Sequence, residues 1–458
     1  MAVAGAGDLA VSADLTAGRK IGIGVGDFGL NLYWQVASLY LLYFYTDVLM
    51  IAPATAGAIY MFALVWDALL DPVIGLLADR TRSRLGRYRP YLLLGAPALA
   101  LAFVGVFAAP AWTTTFAAAV SVVLHFVFRS LYAVVSVPYA ALSARVTRDA
   151  GARADLAAAR MIFATAAAFL VASATLPLTQ ALGSGRSGWV WLAGLYGAVA
   201  TGILVLTARA ASGLDAATDQ APAPARFVDK LRATAGAWPF LLVLGGVTVT
   251  SFANTIFQKN LLYYFKYVVG DARLGGYGMG LFAIAAAVAV PGWAWVARRF
   301  GKKYAWLAGL VPTVCGLVLW RLADGHGLAP LMLALAVMGV GSAAYVVSFW
   351  AMLPDTVEFA EWRTGVRSES FAFGLLMLGQ KMALGLGAGA LGAALASAGY
   401  RAGAGQTPQT LEAMKAMMFW TPMTGALVTA CLVAFYPITP ALHRRMVAEI
   451  ALRGDPRC

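Results

Sequence analysis

Two acidic residues lie inside an apolar stretch of the chain, "WDALLDP" at residues 66–72. Asp67 and Asp71 are four residues apart, so a helix places them on one face. In a membrane-spanning helix, each carboxylate costs about 2.5–3.5 kcal/mol. Two carboxylates on one face also repel each other, so either one holds a proton or both hold a cation. The pair therefore predicts a cation-binding site; the alternative is a structural pair neutralised by Lys381 or by an arginine.

The composition indicates that such helices cross a membrane. The chain has 458 residues, of which 61% are hydrophobic and 12% are charged. Soluble domains carry roughly 25% charged residues, so about half of the usual charge is missing. The net charge of +13 comes from basic residues clustered in short gaps between apolar runs, which is typical of membrane proteins. We therefore expect membrane lipids, and no nucleic acid, as partners.

Twelve apolar runs reach the length of about 20 residues that a bilayer-spanning helix needs. Continuous runs of this kind predict helices, because the strands of a membrane barrel alternate between apolar and polar residues. We predict an all-α membrane protein with twelve transmembrane helices. The runs are 21–46, 53–78, 90–110, 114–143, 158–181, 188–208, 238–266, 276–297, 304–322, 329–353, 369–397 and 414–437.

The distribution of Lys and Arg predicts the orientation. Basic residues crowd the gaps after runs two, four and eight and the C-terminal tail, whereas the alternate gaps hold few. Cytoplasmic loops carry the excess of Lys and Arg, so both termini are expected in the cytoplasm. No basic segment precedes an apolar core at the start of the chain, so we expect no cleaved signal.

The chain divides into two similar halves. A segment rich in Ala, Pro and Asp, 209–237, separates six runs from six and is interpreted as a cytoplasmic linker. "LYLLYFYTDVL" (39–49) in the first half matches "NLLYYFKYVVG" (260–270) in the second, and "RLGR" (84–87) matches "RFGK" (299–302). Such internal repeats indicate a transporter whose site lies between the halves. The predicted parts are a tail at 1–20, a half at 21–208, the linker, a half at 238–437 and a tail at 438–458.

Several motifs resemble the glycoside–pentoside–hexuronide cation symporters, a branch of the major facilitator superfamily. The most specific are "WDALLDP…TRSRLGRYRPYLLLG" in run two and "DTVEFAEWRTGVRSES" (355–370), which matches the family's loop after the tenth helix. "GDFGLNLYWQ…YLLYFYTDVL" (26–49) and "VPYAAL" (137–142) support them. The resemblance covers nearly the whole chain and implies the twelve-helix major facilitator fold.

The resemblance also implies a function: cation-coupled symport of a sugar or glycoside across the cytoplasmic (inner) membrane by alternating access, without a cofactor and as a monomer. It does not fix the solute, so a non-sugar solute such as an organic acid or amphiphile stays an alternative. An enzyme is not expected, because the sequence shows no Ser/His/Asp set, metal cluster or paired catalytic acids at a membrane surface.

The coupling cation is expected to be H⁺ rather than Na⁺ or Li⁺. In the family, the acids that match Asp67 and Asp71 bind the cation, and sodium-using members add neutral oxygen ligands beside them. Here those positions are Leu70 and Ala133, neither of which offers a side-chain oxygen. Sodium, a hard ion, needs several oxygens. Backbone carbonyls or Ser136 could still supply them, and sodium at the Asp67/Asp71 pair would be the only metal ion expected.

The resemblance implies a substrate site on the first and fifth helices. Asp27 matches an acid that binds sugar hydroxyls, and a carboxylate accepts such bonds strongly; the alternative is a salt bridge to Arg160 without a ligand. Arg160 itself matches an arginine that contacts the sugar. Trp34, two turns from Asp27, is a candidate aromatic wall for a sugar ring, with core or lipid packing as the alternative.

The fourth run departs from the family pattern. Ser136 replaces an acid there, and Tyr132 matches a position near the sugar. Arg129 lies in mid-run, seven residues before Ser136 and on the same helical face. An arginine inside a membrane is a functional candidate. It binds an anionic substrate such as a uronate, pairs with Asp27, or is structural; the sequence leaves these alternatives open.

Charged residues in the second half complete the candidate site. Lys381 matches a lysine of the eleventh helix, and we expect Asp67 or Asp71 to compensate its charge. A charged set near the predicted cytoplasmic side is interpreted as ion pairs of an inner gate, with plain solvation as the alternative. The set consists of Arg84, Arg87, Arg145, Asp355, Glu358, Glu361 and Arg367.

Overall fold

A computed structural model describes residues 16–108, 114–147, 150–183, 185–214, 227–366 and 369–453. The described residues are helical and contain no strand. The chain divides into two compact units, Met1–Gln220 and Ala221–Cys458. The predicted gate residue Arg367 lies outside the described residues.

In its described residues, the first unit holds seven α-helices. They are α1 (Ala17–Gly24), α2 (Gly26–Tyr43), α3 (Pro53–Arg80), α4 (Arg89–Ala108), α5 (Thr114–Arg145), α6 (Ala150–Leu182) and α7 (Arg186–Ala210). The described part of the second unit holds eight. They are α8 (Phe227–Gly236), α9 (Trp238–Tyr264), α10 (Ala272–Phe300), α11 (Lys302–Ala323), α12 (Leu328–Thr364), α13 (Glu369–Ser397), α14 (Pro408–Ala434) and α15 (Pro440–Arg453).

Eleven helices of the described chain are long and apolar enough to cross a membrane, namely α3–α7 and α9–α14. The remaining predicted span, 21–46, is built differently. It is divided at Val25 into α1 and α2, and α2 carries the polar side chains of Asp27, Asn31 and Gln35. With this divided helix counted, each unit contributes six spans, which is the architecture that the sequence predicts.

Helix packing repeats between the units. In the first unit, α2 packs on α6 and α7, α5 packs on α3 and α4, and α4 packs on α7. In the second unit, α9 packs on α13 and α14, α12 packs on α10 and α11, and α11 packs on α14. Each pair of the first set becomes a pair of the second when seven is added to the helix number. The internal repeat in the sequence is therefore also a repeat of the three-dimensional structure.

The two repeated motifs have the same local conformation in each unit. A π-helical turn follows α2 at Phe44–Val48, and another follows α9 at Phe265–Val269. These turns occupy equivalent positions in the matched sequences. The glycines of "RLGR" and "RFGK", Gly86 and Gly301, have φ angles of 104° and 105°. Only glycine adopts such angles without strain, so this residue shapes the connection between α3 and α4 in the first unit and the end of α10 in the second.

One expectation about a loop is wrong. Residues 355–364 continue α12 rather than forming a loop, because Val357, Phe359 and Ala360 are buried in the apolar core of the second unit. The helix ends only where Gly365 takes a left-handed conformation, with φ of 71°. The segment interpreted as a linker, 209–237, contains the short helix α8, whose Ala233 and Thr234 are buried.

Close packing of α11 on α12 gives a test of the fold. A Cβ atom added at Gly309 would lie 2.1 Å from the Cβ of Ala344 and 3.1 Å from the carbonyl oxygen of Gly341. The helices must separate to admit it, so we expect Gly309→Ala to lower the free energy of unfolding by about 1–3 kcal/mol. The measurement is the thermal unfolding midpoint in detergent. Gly374→Ala is the matched control: its Cβ meets no atom within 4 Å, so it should be neutral or stabilising.

Candidate functional site

Asp67 and Asp71 lie on α3 within the first unit, one turn apart. The Asp67 side chain is fully buried and Asp71 is half-buried. The neighbouring helix α5 holds α3 in place, because the indole nitrogen of Trp66 donates a hydrogen bond of 2.9 Å to the Ser130 hydroxyl. The Tyr132 hydroxyl on α5 is close enough to both acids to interact with them electrostatically. The pair is thus an interior pair of carboxylates, which makes its state of protonation or cation binding decisive for its energy.

A second carboxylate site lies where α2, α5 and α6 meet. Arg160 donates from Nε to the Oδ2 atom of Asp27 and from a terminal nitrogen to the Ser143 hydroxyl at 2.8 Å. The Tyr139 hydroxyl lies 3.0 Å from the same Oδ2 atom, and the Arg160 guanidinium lies over the Tyr139 ring at 5.1 Å. The ion pair that the sequence offers as an alternative for Asp27 therefore exists. It leaves the other oxygen, Oδ1, as an acceptor.

The local sequence explains how Tyr139 reaches Asp27. A Cβ atom at Gly26 would lie 2.6 Å from the Tyr139 ring, so only glycine lets α2 approach this close. The Asn31 side chain donates to the Asp27 carbonyl at 2.8 Å, which fixes the polar face of α2. Tyr139 and Ser143 were not among the predicted site residues, although Tyr139 belongs to the "VPYAAL" motif and could have been inferred from it.

Arg129 occupies a different part of the first unit from Asp27. Its side chain is fully buried, and its Nε donates to Nε2 of His125 at 3.3 Å. The guanidinium lies 5.3 Å from the Trp34 ring centre and 5.8 Å from that of Tyr60. Pairing of Arg129 with Asp27, one of the alternatives for this residue, is not observed: Asp27 pairs with Arg160.

Aromatic residues connect these clusters. The rings of Trp34 and Tyr132 lie 5.8 Å apart, and both side chains are partly exposed. The Tyr132 hydroxyl is within Coulombic range of Asp27 and Arg129 as well as of the α3 acids. Ser136, one turn further along α5, is also partly exposed. The first unit therefore brings together all of the predicted cation and substrate residues except Lys381, which lies on α13 of the second unit.

The predicted gate residues of the first unit lie at the ends of α3 and α5. Arg145 is 3.9 Å from Asp79, which also accepts a 2.6 Å hydrogen bond from the Tyr88 hydroxyl. Burial, followed by the hydrogen bond to Asp79, raises the pKa of Tyr88 to about 12. Arg84 is exposed and Arg87 is half-buried. Asp79 was not predicted, and it is the acid that Arg145 contacts within this unit.

The acids of the second unit form a cluster with two bases. Lys302 donates to Asp355 at 2.7 Å, and Nε2 of His443 lies 2.6 Å from Glu358 and 3.4 Å from Asp355. Potential metal-ligand atoms of Asp355, Glu358 and His443 lie within 4.8 Å of one another. The Lys302 ammonium balances the charge of Asp355, and His443 of α15 bridges Asp355 and Glu358 of α12, so the group is described as an ion-pair cluster that joins α15 to α12. Glu361, one turn beyond Glu358, is half-buried.

Solved structures identify the fold. The nucleoside transporter NupG superposes with a TM-score of 0.66 at 14% identity, covering 92% of this chain and 100% of that one. A bacterial homologue of the human lysosomal transporter Spinster, inward-facing and unoccupied, gives a TM-score of 0.67 at 13% identity, with 96% and 99% covered. The protein has the major facilitator fold and is a multi-pass membrane protein.

The family follows from sequence comparison. Residues 22–440 match the family described as MFS/sugar transport protein, and the chain belongs to that family. It is 27% identical to the isoprimeverose transporter of Lactiplantibacillus pentosus, over 94% of this chain and 91% of that protein. It is 28% identical to the glucuronide carrier protein homolog of Escherichia coli (strain K12), over 94% of each. The protein is thus a secondary transporter of a small molecule and not an enzyme, and its resemblance to the glycoside–pentoside–hexuronide group is confirmed.

Proposed function

We propose that the protein is a proton-coupled symporter that carries a sugar or glycoside across the cytoplasmic membrane, with both termini in the cytoplasm. The observation that carries the proposal is the interior carboxylate pair of α3, whose neighbour Tyr132 also interacts electrostatically with Asp27. The names of the relatives, an isoprimeverose transporter and a glucuronide carrier homolog, support a glycoside as the solute.

Coupling rests on the energetics of Asp67 and Asp71. With both side chains ionised, the pair pays for desolvation and for mutual repulsion; binding one proton removes much of both costs. Leu70 and Ala133 add no side-chain oxygen that a sodium ion would need, which favours the proton. Reciprocity then requires that a bound substrate strengthens proton binding as much as the proton strengthens substrate binding.

Sugar recognition is assigned to Asp27, Arg160 and Trp34. Both described contacts of the Asp27 carboxylate use Oδ2, so Oδ1 can accept from a sugar hydroxyl. Arg160 supplies donors beside it. The half-exposed Trp34 ring offers an apolar face to the sugar ring, and Tyr132 and Ser136 complete the polar lining. The family resemblance implies a substrate role for Lys381 of α13 as well.

The charged residues at the ends of α3, α5 and α12 are proposed as the inner gate. Within each unit, Arg145 forms an ion pair with Asp79, and Asp355 forms one with Lys302. A gating movement can break such ion pairs and replace them with others. The role assigned to Arg84, Arg87, Glu358 and Glu361 is the same.

A second candidate is a cation-coupled carrier of a non-sugar solute, such as an organic acid or amphiphile. Buried Arg129 favours this candidate, because its terminal nitrogens find no acceptor among the described residues and an anionic solute would supply one. Measuring which solutes the protein transports distinguishes the two candidates, so one uptake experiment tests both.

The experiment measures uptake of radiolabelled glycosides by proteoliposomes in sodium-free buffer. We expect a neutral or anionic glycoside to accumulate when the lumen is made alkaline, and a protonophore to abolish accumulation. The control is the same vesicles with a sodium gradient and no pH gradient. Accumulation under the sodium gradient alone would overturn the choice of the proton. Transport of organic acids but of no glycoside would replace the sugar with the second candidate.

A further inference from the structure

The buried cluster around Arg129 contains polar groups that the rest of the first unit does not satisfy. Both terminal nitrogens of Arg129 are buried, and the described residues offer them no hydrogen-bond acceptor. The Tyr45 hydroxyl is in the same situation. The Tyr45 ring lies 5.9 Å from that of His125, which in turn accepts from Arg129 Nε. These groups therefore belong to one cluster, at the end of α2 and the middle of α5.

The cluster has more hydrogen-bond donors than acceptors. A guanidinium has five N–H donors and no acceptor, and His125 accepts only from Nε. Four donors of Arg129 and the Tyr45 hydroxyl remain. The faces of Trp34 and Tyr60 offset part of the positive charge, but an aromatic face is not a substitute for a hydrogen-bonding anion. Buried donors without acceptors destabilise a protein, and charged donors do so more strongly than neutral ones.

We propose that Arg129 and Tyr45 bind the acid group of the substrate, so that the transported solute is an anionic sugar. This inference rests on the proposed function and names its substrate class. The two terminal nitrogens of Arg129 form the planar fork that matches the two oxygens of a carboxylate. Because Nε is engaged by His125, the fork is held in a fixed direction before the substrate arrives.

Trp34 connects this acid site to the hydroxyl site. Its partly exposed ring lies 5.3 Å from the guanidinium carbon, so a sugar that stacks on Trp34 places its acid group beside Arg129. Asp27 lies seven residues earlier on α2, which is about 10 Å along the helix axis. A sugar bound at both ends is therefore selected twice, by its hydroxyls at Asp27 and by its charge at Arg129.

The test uses sugar pairs that differ only in the acid group. Purified wild-type protein is titrated with the methyl glycosides of glucuronate and galacturonate and with those of glucose and galactose. We expect at least one uronide to bind about 10- to 100-fold more tightly than its neutral parent, as charge-assisted hydrogen bonds of this kind provide. Binding of a neutral glycoside with equal or higher affinity overturns this inference and leaves the proposed function standing. A wild-type protein that binds none of the four overturns both.

Variants separate recognition from structure. Arg129→Met should remove the preference for the uronide and leave binding of the neutral parent within about twofold. Its unfolding temperature should stay the same or rise, because replacing a buried, unpaired charge by an apolar group is often stabilising. Arg129→Lys should keep part of the preference. Arg209→Met, an exposed arginine on α7, is the matched control and should change neither property. A large fall in the unfolding temperature of Arg129→Met, or an unchanged preference, would show that Arg129 is structural and would overturn the inference.

Discussion

We expect Asp67→Asn to abolish uptake against a concentration gradient while exchange of substrate across the membrane continues. Asparagine fills the same space on α3, but it carries no charge and takes up no proton. The coupling free energy between cation and substrate is typically 1–3 kcal/mol, so its removal should lower proton-driven accumulation by up to about 100-fold. Counterflow, in which labelled and unlabelled substrate exchange without a driving gradient, should persist. Asp71→Asn should act in the same direction. Both activities are measured in the same proteoliposomes.

A matched acid on the same unit serves as control. Asp155 on α6 is largely exposed and forms a 2.7 Å ion pair with Lys20, so Asp155→Asn should leave accumulation and counterflow unchanged. The unfolding temperature gives a second readout: Asp67→Asn removes a fully buried carboxylate and should not destabilise the protein. Proton-driven accumulation by Asp67→Asn at the wild-type level would end the assignment of the cation site to α3.

Asp27→Asn should weaken substrate binding by about 100-fold, the loss expected when a carboxylate no longer accepts one or two sugar hydroxyls. The variant keeps the size of the side chain, so the loss would reflect charge rather than shape. Binding is measured by calorimetry on purified protein. Proton-driven transport should fall in parallel, because the loaded state is no longer reached at the same substrate concentration.

Two further variants distinguish a ligand role from an ion-pair role at Asp27. Tyr139→Phe removes one hydrogen bond to Oδ2 and keeps the carboxylate, so it should weaken binding by no more than about 10-fold. Asp27→Asn/Arg160→Gln removes both charges and should recover stability lost in Asp27→Asn without recovering affinity. Recovery of affinity in the double variant would mean that Asp27 serves only to neutralise Arg160.

Much of this architecture is predictable from sequence because the bilayer imposes strong constraints. Runs of about 20 apolar residues have few alternatives to a spanning helix, and the spacing of Asp67 and Asp71 fixes their common face. The boundaries are harder to predict. Helix α12 continues past the apolar run because Val357 and Phe359 are buried in the apolar core of the second unit. That core is formed by helices that are distant in the sequence.

Partners of the site residues were less predictable than the residues themselves. The sequence singles out Asp27, Arg160 and Arg129 because charges are rare in apolar runs. It does not show that Tyr139 and Ser143 complete the first pair, or that His125 contacts Arg129, since polar aromatic and small hydroxyl residues are common in membrane helices. Only packing reveals these contacts: Gly26 lets the Tyr139 ring approach α2, and the one-turn spacing of His125 and Arg129 becomes a hydrogen bond when both are buried.

The π-helical turns after α2 and α9 have a consequence for the history of the chain. A π turn accommodates one surplus residue in a helix at some energetic cost, and it arises by insertion of that residue. Here it occurs at the same aligned place in both units, Phe44–Val48 and Phe265–Val269. One insertion in an ancestral six-helix unit accounts for both turns, whereas separate origins require two. The shared turn therefore favours a surplus residue that was already present when the two halves were one unit, at the end of the helix that α2 and α9 now represent.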